Sequence, residues 1–325
     1  MVLTARDDFS LRPENGHALK TAHVDVESLI TLDDLTGSGW QSQVSYALVD
    51  HHTLLPIFSE QGGKRVVSIV DHHDPGQTSF DSSISPQRID PTVGSCSSLV
   101  ATTFFTADSK SDLRLTPSAA SLLIMAILID TGLRPTERGG KFSRADAQAL
   151  EILLPSSGIL YTQLESLGSE LAERKANVSD LSSRDLLRRD YKEYRTSAGT
   201  KWGLSTVPLE LLDFANKGKG LASEIERWMA ERDLRIAGVL TSYSSKRTSK
   251  HKRELLLCVD NAQELSWLFE ALERDSGSLE LSGWDKDKAL VQSGGDKMRV
   301  WRQKNSKATR KQVAPLLEQT LDGKI

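Results

Sequence analysis

Two short apolar runs in the first half of the chain are each followed by ionisable residues. Residues 44–49 (VSYALV) and 65–70 (RVVSIV) are rich in apolar and β-branched side chains and have the length of strands. Short runs of this kind are typical of strands in a buried parallel sheet. Each run is followed directly by Asp-His-His. The pattern therefore predicts two buried parallel strands whose carboxyl ends carry ionisable side chains, where open α/β sheets bind ligands.

An apolar helix is predicted from the sequence TPSAASLLIMAILID, residues 116–130. Thr116 can accept a hydrogen bond from a free backbone N–H at the helix start, and Pro117 suits the first turn. Gly132 suits the end of the helix, because glycine readily adopts the left-handed conformation. Asp130 would then lie in the last turn of this helix.

The chain beyond residue 140 predicts helices first and strands later. Residues 142–182 are polar with leucines at helical spacing, and they contain a break at residues 154–158 (LPSSG). We therefore expect a first domain over residues 1–155, a helical linker over 156–182 and a second domain over 183–325.

The second domain is predicted to begin with a strongly charged helix, DLLRRDYKEY, at residues 185–194. Strand-like runs follow at residues 201–207, 234–243, 254–259 and 298–301. The expected fold class is α/β with two domains. The first would hold a mostly parallel sheet with flanking helices, and the second would be a smaller, mixed α/β domain.

Composition and charge narrow the class of protein. The formal net charge of −3 gives no global reason to expect a nucleic-acid or membrane surface. Cys96 and Cys258 are far apart in the sequence, which fits a reducing compartment better than a disulfide scaffold. The N-terminal residues lack the apolar core of a secretion signal, and the longest apolar stretch, residues 119–129, is much shorter than the ~20 residues that cross a bilayer. We therefore expect a soluble cytoplasmic protein.

The two Asp-His-His triplets are the sharpest chemical feature. Asp50 and Asp71 open them, 21 residues apart, and Asp130 closes the apolar helix. Carboxylate and imidazole are ligands that hold Mn²⁺ or Mg²⁺ near a phosphate. The alternative is that these histidines only cap turns, although buried strand ends seldom collect six ionisable residues without a use. The triplets therefore predict a divalent-metal site.

Six stretches of the sequence match motifs of one superfamily. In the first half they are YALVDHHTLL, VSIVDHHDPG, VGSCSSLVAT and ILIDTGL, and in the second half LLRRDYKEY and ATRKQVAPLL. In these stretches the chain resembles the DHH phosphoesterases, in particular their exopolyphosphatase and Prune-like members. Their C-terminal domain, which family II inorganic pyrophosphatases share, binds phosphate. The resemblance covers about residues 5–320.

The resemblance implies roles for the residues at matching positions. Asp50 would bridge two cations, Mn²⁺ or Mg²⁺, while His72 and Asp130 would hold one of them. His73 would face the substrate phosphate. Residues that would support the metal site or a phosphate loop are Asp71, His51 and Ser95. The second domain would contribute a cationic phosphate clamp of Lys192, Arg310 and Lys311.

The start of the chain departs from the family pattern. Members of the family begin with a strand and an Asp-x-Asp-Ser segment that supplies most ligands of one cation, whereas residues 4–14 (TARDDFSLRPE) resemble the stretch after it. We therefore expect the family's first strand and helix to be lost and one cation site to be incomplete. On a strand, His23, Asp25 and Glu27 would share a face and imitate the missing ligands. Their position after the LRPE stretch and close to Asp50 argues against that role.

The expected function is metal-dependent hydrolysis of phosphoanhydride bonds in inorganic polyphosphate, impaired by the incomplete site. Two alternatives stay open: a Prune-like phosphodiesterase or short-chain polyphosphatase, and a non-catalytic relative that binds a phosphate ligand or a partner. The expected partner is polyphosphate or another small phosphoanhydride. No membrane partner is expected. Nucleic acid is not expected either, since the Gly-Gly-Gly-His signature of the nuclease relatives is not found.

One basic tract is not explained by these motifs. Residues 244–253 (SSKRTSKHKR) carry six basic side chains between two strand-like runs. The tract is predicted to be a solvated hairpin loop, and a guide for long polyanions is the alternative.

Overall fold

A computed structural model describes residues 4–35, 44–54, 58, 65–76, 78–108, 112–218, 220–286 and 294–323. The chain divides into two compact units, Met1–Asn177 and Val178–Ile325. This boundary falls inside residues 156–182. In the described part of the chain, no helix is long and apolar enough to cross a membrane.

The first unit contains a parallel sheet of three strands in the order β1-β2-β3. The strands are β1 (Ser45–Val49), β2 (Arg65–Asp71) and β3 (Gln87–Ile89). The two strands predicted from apolar runs are confirmed, whereas β3 is too short and polar to be recognised in sequence. The expected burial of β1 holds for one face: Tyr46 and Leu48 are buried, whereas Val49 on the other face is 48% exposed.

Helices supply most of the first unit's core. They are α1 (Pro13–Thr21), α2 (Cys96–Phe104), α3 (Pro117–Thr131), α4 (Arg144–Ser157) and α5 (Leu164–Ala176). The apolar helix α3 is confirmed with its predicted ends: the Thr116 side chain accepts from Ala119 N, and Gly132 is left-handed with φ 55°. Because α3 packs against α1, α2, α4 and α5, Ile124 and Ile127 are fully buried. This packing fixes the last turn, which carries Asp130.

The second unit is built on one mixed sheet in the order β4-β5-β6-β8-β10-β9, with β7 paired to β8. Among the described strands of this sheet, only β5 and β6 are parallel neighbours. The strands are β4 (Tyr191–Arg195), β5 (Lys201–Val207), β6 (Ile236–Thr241), β7 (Tyr243–Ser244), β8 (His251–Val259), β9 (Leu281–Gly283) and β10 (Met298–Gln303). The helices are α6 (Ser183–Arg189), α7 (Leu211–Ala215), α8 (Leu221–Arg232), α9 (Ala262–Leu265), α10 (Trp267–Arg274) and α11 (Arg310–Leu321).

The charged helix predicted over residues 185–194 is wrong in its second half. Helix α6 ends at Arg189, and the following residues form β4, which pairs antiparallel with β5. Tyr194 stacks on Trp202 of β5, with ring centroids 4.2 Å apart. The strand forms because this long-range pairing outweighs the local helical pattern. Lys192 therefore lies on a strand.

The basic tract is a hairpin, as predicted. β7 and β8 pair antiparallel, with Tyr243 opposite Lys252 and Ser244 opposite His251. Lys246 in the turn has an 84% exposed side chain, which pairs with Asp213. The turn is thus solvated, while the start of β8 joins the large sheet.

Candidate functional site

Asp50 is the residue directly after β1, and its backbone is strained. Its N–H donates to the Val70 carbonyl at 3.0 Å, which continues the pairing with β2 by one residue. Its φ of 66° is in the left-handed region, which residues other than glycine seldom adopt. Such strained residues cluster at functional sites. The turn ends the strand and leaves the Asp50 carboxylate beside the histidines that follow β2.

His72 presents a ring nitrogen to this carboxylate. Its Nδ1 lies 3.2 Å from the Val93 carbonyl, which can only accept, so Nδ1 carries the proton. Its Nε2 lies 3.2 Å from Asp50 Oδ1. In the neutral ring, Nε2 and Oδ1 both present lone pairs, which approach this closely only with a proton or a cation between them. The donor set therefore fits a divalent metal ion.

Asp71 anchors two more histidines from a fully buried position. Its Oδ2 accepts from His52 Nδ1 at 2.5 Å, and its Oδ1 accepts from His73 Nδ1 at 2.7 Å. Burial alone would raise the pKa of Asp71, but the hydrogen bonds from His73 and His52 outweigh it and the pKa is lowered. The Nε2 atom of each ring is consequently left for other partners. A carboxylate that fixes histidine tautomers in this way is common around metal ligands.

Asp50, His72 and His73 form a compact group in the described part of the chain, with ligand atoms within 4.8 Å of one another. Local desolvation raises the pKa of Asp50, and the negative charges of Asp130 and Asp71 add to the rise. The imidazoles of His72 and His73 oppose it without cancelling it. Acidic groups that repel one another in this way favour the binding of a cation.

Asp130 lies beside this group rather than inside it. Its Oδ2 accepts from Ser95 Oγ at 2.7 Å, and its charge acts on Asp50. The family resemblance predicts that Asp130 is a metal ligand and that His73 faces the substrate phosphate. In the structure, His73 belongs to the compact group. His51, predicted to support the site, donates its Nδ1–H to the Val49 carbonyl at 3.0 Å.

Asp146 is a buried residue that the sequence reasoning missed. Its carboxylate accepts five hydrogen bonds, from Gly94 N, Ser95 N, Ser98 Oγ, Ser143 N and Ser143 Oγ. It therefore ties the start of α2 to the start of α4. The Ser-x-x-Asp spacing from Ser143 is a recognisable capping box, but nothing local announces the contacts to residues 94–98.

The tight packing around Asp146 requires glycine at position 94. It also leaves the Ser95 side chain available for a contact outside the helix start. A Cβ at Gly94 would lie 2.3 Å from the Lys141 carbonyl oxygen, so only glycine fits. Ser95 precedes α2, but its side chain makes no capping hydrogen bond and points to Asp130 instead. Asp146 thus positions the residue that holds Asp130.

Cys96 is excluded as a nucleophile or metal ligand. Its thiol is buried and donates to the Val70 carbonyl at 3.3 Å. Burial and nearby carboxylates raise its pKa to about 12, so the thiol stays protonated at neutral pH.

The residues predicted as a phosphate clamp meet in the second unit. Lys192 of β4 and the first residues of α11, Arg310 and Lys311, line an open cavity of about 520 Å³. Arg310 Nη1 donates to the Asp190 carbonyl at 3.0 Å and lies 2.8 Å from Asp190 Oδ1. Arg253 lines the same cavity, although the sequence did not single it out as a site residue. We call this cavity the cationic pocket.

No strand carries His23, Asp25 and Glu27, the residues that could imitate the missing metal ligands. Residues 23–28 form a turn and a short 3₁₀ helix, Val26–Ser28, which Asp25 caps by accepting from Glu27 N. Glu27 pairs with Arg6 at 3.3 Å. Within the described ranges, His23, Asp25 and Glu27 are not part of the Asp50 group.

Comparison with known families and sequences gives several matches. The DHHA2 domain matches residues 169–320. A candidate exopolyphosphatase of Schizosaccharomyces pombe is 28% identical, over 96% of this chain and 79% of its own length. Exopolyphosphatase PRUNE1 of Bos taurus is 24% identical, over 97% of this chain and 66% of its own length. A manganese-dependent inorganic pyrophosphatase of Methanocaldococcus jannaschii is 27% identical, over 51% of this chain and 52% of its own length.

A solved structure has a similar fold. The crystal structure of a candidate family II inorganic pyrophosphatase from Methanococcus jannaschii aligns with a TM-score of 0.57. It is 22% identical in sequence and covers 95% of this chain and 87% of its own. This likeness supports the α/β architecture of the chain.

Proposed function

The chain belongs to the DHH phosphoesterase superfamily and carries its DHHA2 domain, and on this basis we propose that it hydrolyses phosphoanhydride bonds in inorganic polyphosphate. The observation that carries the proposal is the pairing of His72 Nε2 with Asp50 Oδ1 at 3.2 Å. The names of the relatives support the reaction class, and the cationic pocket supports an anionic substrate.

We place Mn²⁺ or Mg²⁺ between Asp50 and His72, the two ligands on which the family resemblance and the geometry agree. His73 and Asp130 are the candidates for the next ligand. A cation held there would polarise a phosphoryl oxygen and lower the pKa of a bound water molecule. The protein's own part is to hold the lone pairs in place, which Asp71 does for His73 and the Val93 carbonyl does for His72.

The cationic pocket would bind phosphoryl oxygens of the substrate. The Arg310 guanidinium can donate hydrogen bonds to two oxygens at once, while Lys192 and Lys311 supply compact point charges. Such groups neutralise the negative charge of bound phosphoryl oxygens. Arg310 is already oriented by Asp190, so less side-chain freedom is lost when phosphate binds.

A non-catalytic phosphate-binding protein is the second candidate. Within the described residues there is one compact group of ligands, whereas two-cation hydrolysis needs ligands for both cations. A single cation would make turnover slow or absent while binding persists. A Prune-like phosphodiesterase or a short-chain polyphosphatase would differ in substrate range, which a series of chain lengths resolves.

The proposal is tested by phosphate release from polyphosphate in the presence of Mn²⁺. Slow turnover is expected for the purified chain, because the described residues form one compact ligand group, and His72→Ala should lower the rate by at least a further factor of about ten. Asp81→Asn, which changes an exposed carboxylate of the same unit, is the matched control and should keep full activity. Equal rates in wild type and His72→Ala would refute a metal-dependent reaction at this site. Polyphosphate binding without turnover would favour the second candidate.

A further inference from the structure

Arg253 is a half-buried cation in the cationic pocket. Its Nε donates to the Ser306 carbonyl at 2.9 Å, and its Nη1 lies 3.4 Å from the Thr241 carbonyl. A guanidinium has five N–H groups, so three remain after these contacts. Across the described ranges no carboxylate neutralises Arg253, and desolvation lowers its pKa. A partly buried charge of this kind normally has a counter-charge, which here an anion in the pocket would supply.

Arg253 belongs to a row of side chains on one face of β8. Residues two apart on a strand share a face, so His251 and Arg253 continue the row that contains Leu255 and Leu257. Leu255 and Leu257 pack in the core together with Val313 of α11. The row therefore changes from buried and apolar to partly exposed and cationic toward the hairpin end of β8.

The change occurs beside the residues of the proposed phosphate clamp. Arg253 lines the same cavity as Arg310 and Lys311, which begin α11. His251 lies further out and is exposed, and the charge of Arg253 helps to lower its pKa, so the two side chains are neighbours. Positions two apart on a strand are separated by about 7 Å. The row thus leads from the pocket toward the solvated hairpin.

We propose that Arg253 and His251 extend the phosphate site along β8, so that it binds a chain of several phosphoryl groups in preference to pyrophosphate. The inference rests on the proposed function, since it assigns a substrate length to the same pocket. Arg253 would donate its three remaining N–H groups to the phosphoryl oxygens beyond those held by Arg310 and Lys311. His251 would donate a ring N–H to the next group along the chain.

The test is calorimetric binding of tripolyphosphate and of imidodiphosphate, a two-phosphate probe, to the full chain. Arg253→Gln should weaken tripolyphosphate binding about tenfold, the loss of a charge-assisted contact, and imidodiphosphate binding by less than about threefold. His251→Gln, which changes an exposed side chain, should weaken only tripolyphosphate binding, by about threefold. Lys252→Gln is the matched control: this neighbour lies on the other face of β8, and both affinities should stay within about twofold.

Two further variants separate the possible outcomes. Arg253→Lys keeps the charge but not the forked geometry, and its circular-dichroism spectrum and melting temperature show whether the contact to Ser306 is needed for folding. Arg310→Ala should weaken the binding of both probes. If Arg310→Ala does so while Arg253→Gln and His251→Gln match Lys252→Gln, the extension along β8 is wrong and the proposed phosphate site stands. If Arg310→Ala binds both probes as wild type does, the phosphate site itself is wrong.

Discussion

In the first unit, His52, His72 and His73 each donate an Nδ1–H to a carboxylate or carbonyl oxygen. In the second unit, by contrast, the ammonium groups of Lys192 and Lys311 have no ion-pair partner within the described part of the chain. A metal ion needs lone pairs at fixed positions, so its ligands must be oriented before it binds. A phosphate chain is held mainly by charge, and flexible lysines suffice for it. Substitutions that keep charge but alter geometry should therefore harm the first site far more than the second.

The largest expected effect is the loss of the buried carboxylate that positions the first site. Asp146→Ala leaves the donors from residues 94–98 and Ser143 unsatisfied in a dry environment, and each costs about 1–3 kcal/mol. We expect the free energy of unfolding of the first unit to fall by at least about 3 kcal/mol, measured by urea denaturation.

The matched control for Asp146 is Asp185, which closes the same Ser-x-x-Asp capping box at the start of α6. The capping box of Asp185 is exposed, so Asp185→Ala should lower the free energy of unfolding by only about 1 kcal/mol. A similar cost at both positions would show that Asp146 is an ordinary helix cap. The interpretation that Asp146 positions Ser95, and through it Asp130, would then be wrong.

The next largest effect is expected when the residue that orients the histidines is changed and every metal ligand is kept. Asp71→Asn keeps the size of the side chain but cannot accept from both His52 and His73 with the strength of a carboxylate. Mn²⁺ affinity should fall about 10- to 100-fold, as is typical when the group behind a histidine ligand is changed. Unchanged affinity by calorimetry would mean that the anchoring of these rings is irrelevant to the metal.

A smaller effect is expected in the cationic pocket. Arg310→Ala removes a forked contact and should weaken imidodiphosphate binding about tenfold, with a weaker dependence of the affinity on salt. Calorimetry at two salt concentrations measures both quantities. An affinity that falls without any change in salt dependence would indicate that Arg310 acts through packing rather than charge.

The smallest effect is expected for a substitution that conserves charge. Lys192→Arg keeps the cation while changing its shape, and imidodiphosphate affinity should stay within about threefold of wild type. A loss as large as that of Arg310→Ala would show that the pocket requires fixed geometry, and the two sites would then be built alike.

The sequence predicts the parts of the molecule that local patterns determine. The strand ends at Asp50 and Asp71 and the helix ends at Thr116 and Gly132 are confirmed, because apolar runs and capping residues act over a few neighbours. These elements place the candidate metal ligands. The fold class follows from the same patterns.

Features that depend on distant contacts were not predicted. Lys192 lies on a strand because of its pairing with β5, and Asp146 acts through residues some 50 positions away. Arg253 is a pocket residue only because the fold brings it to the same cavity as the start of α11, 57 residues further along the chain. The roles of Asp130 and His73 stay predictions, since the geometry brings His73 close to Asp50 and holds Asp130 at the side.

The central claim, that Asp50 and His72 share a divalent cation, is tested most directly by calorimetric titration of Mn²⁺ into wild-type protein and His72→Ala. We predict one cation bound per wild-type chain and a loss of at least about tenfold in affinity for His72→Ala, with His73→Ala and Asp130→Ala identifying the next ligand. The same stoichiometry and affinity in wild type and His72→Ala would contradict the claim.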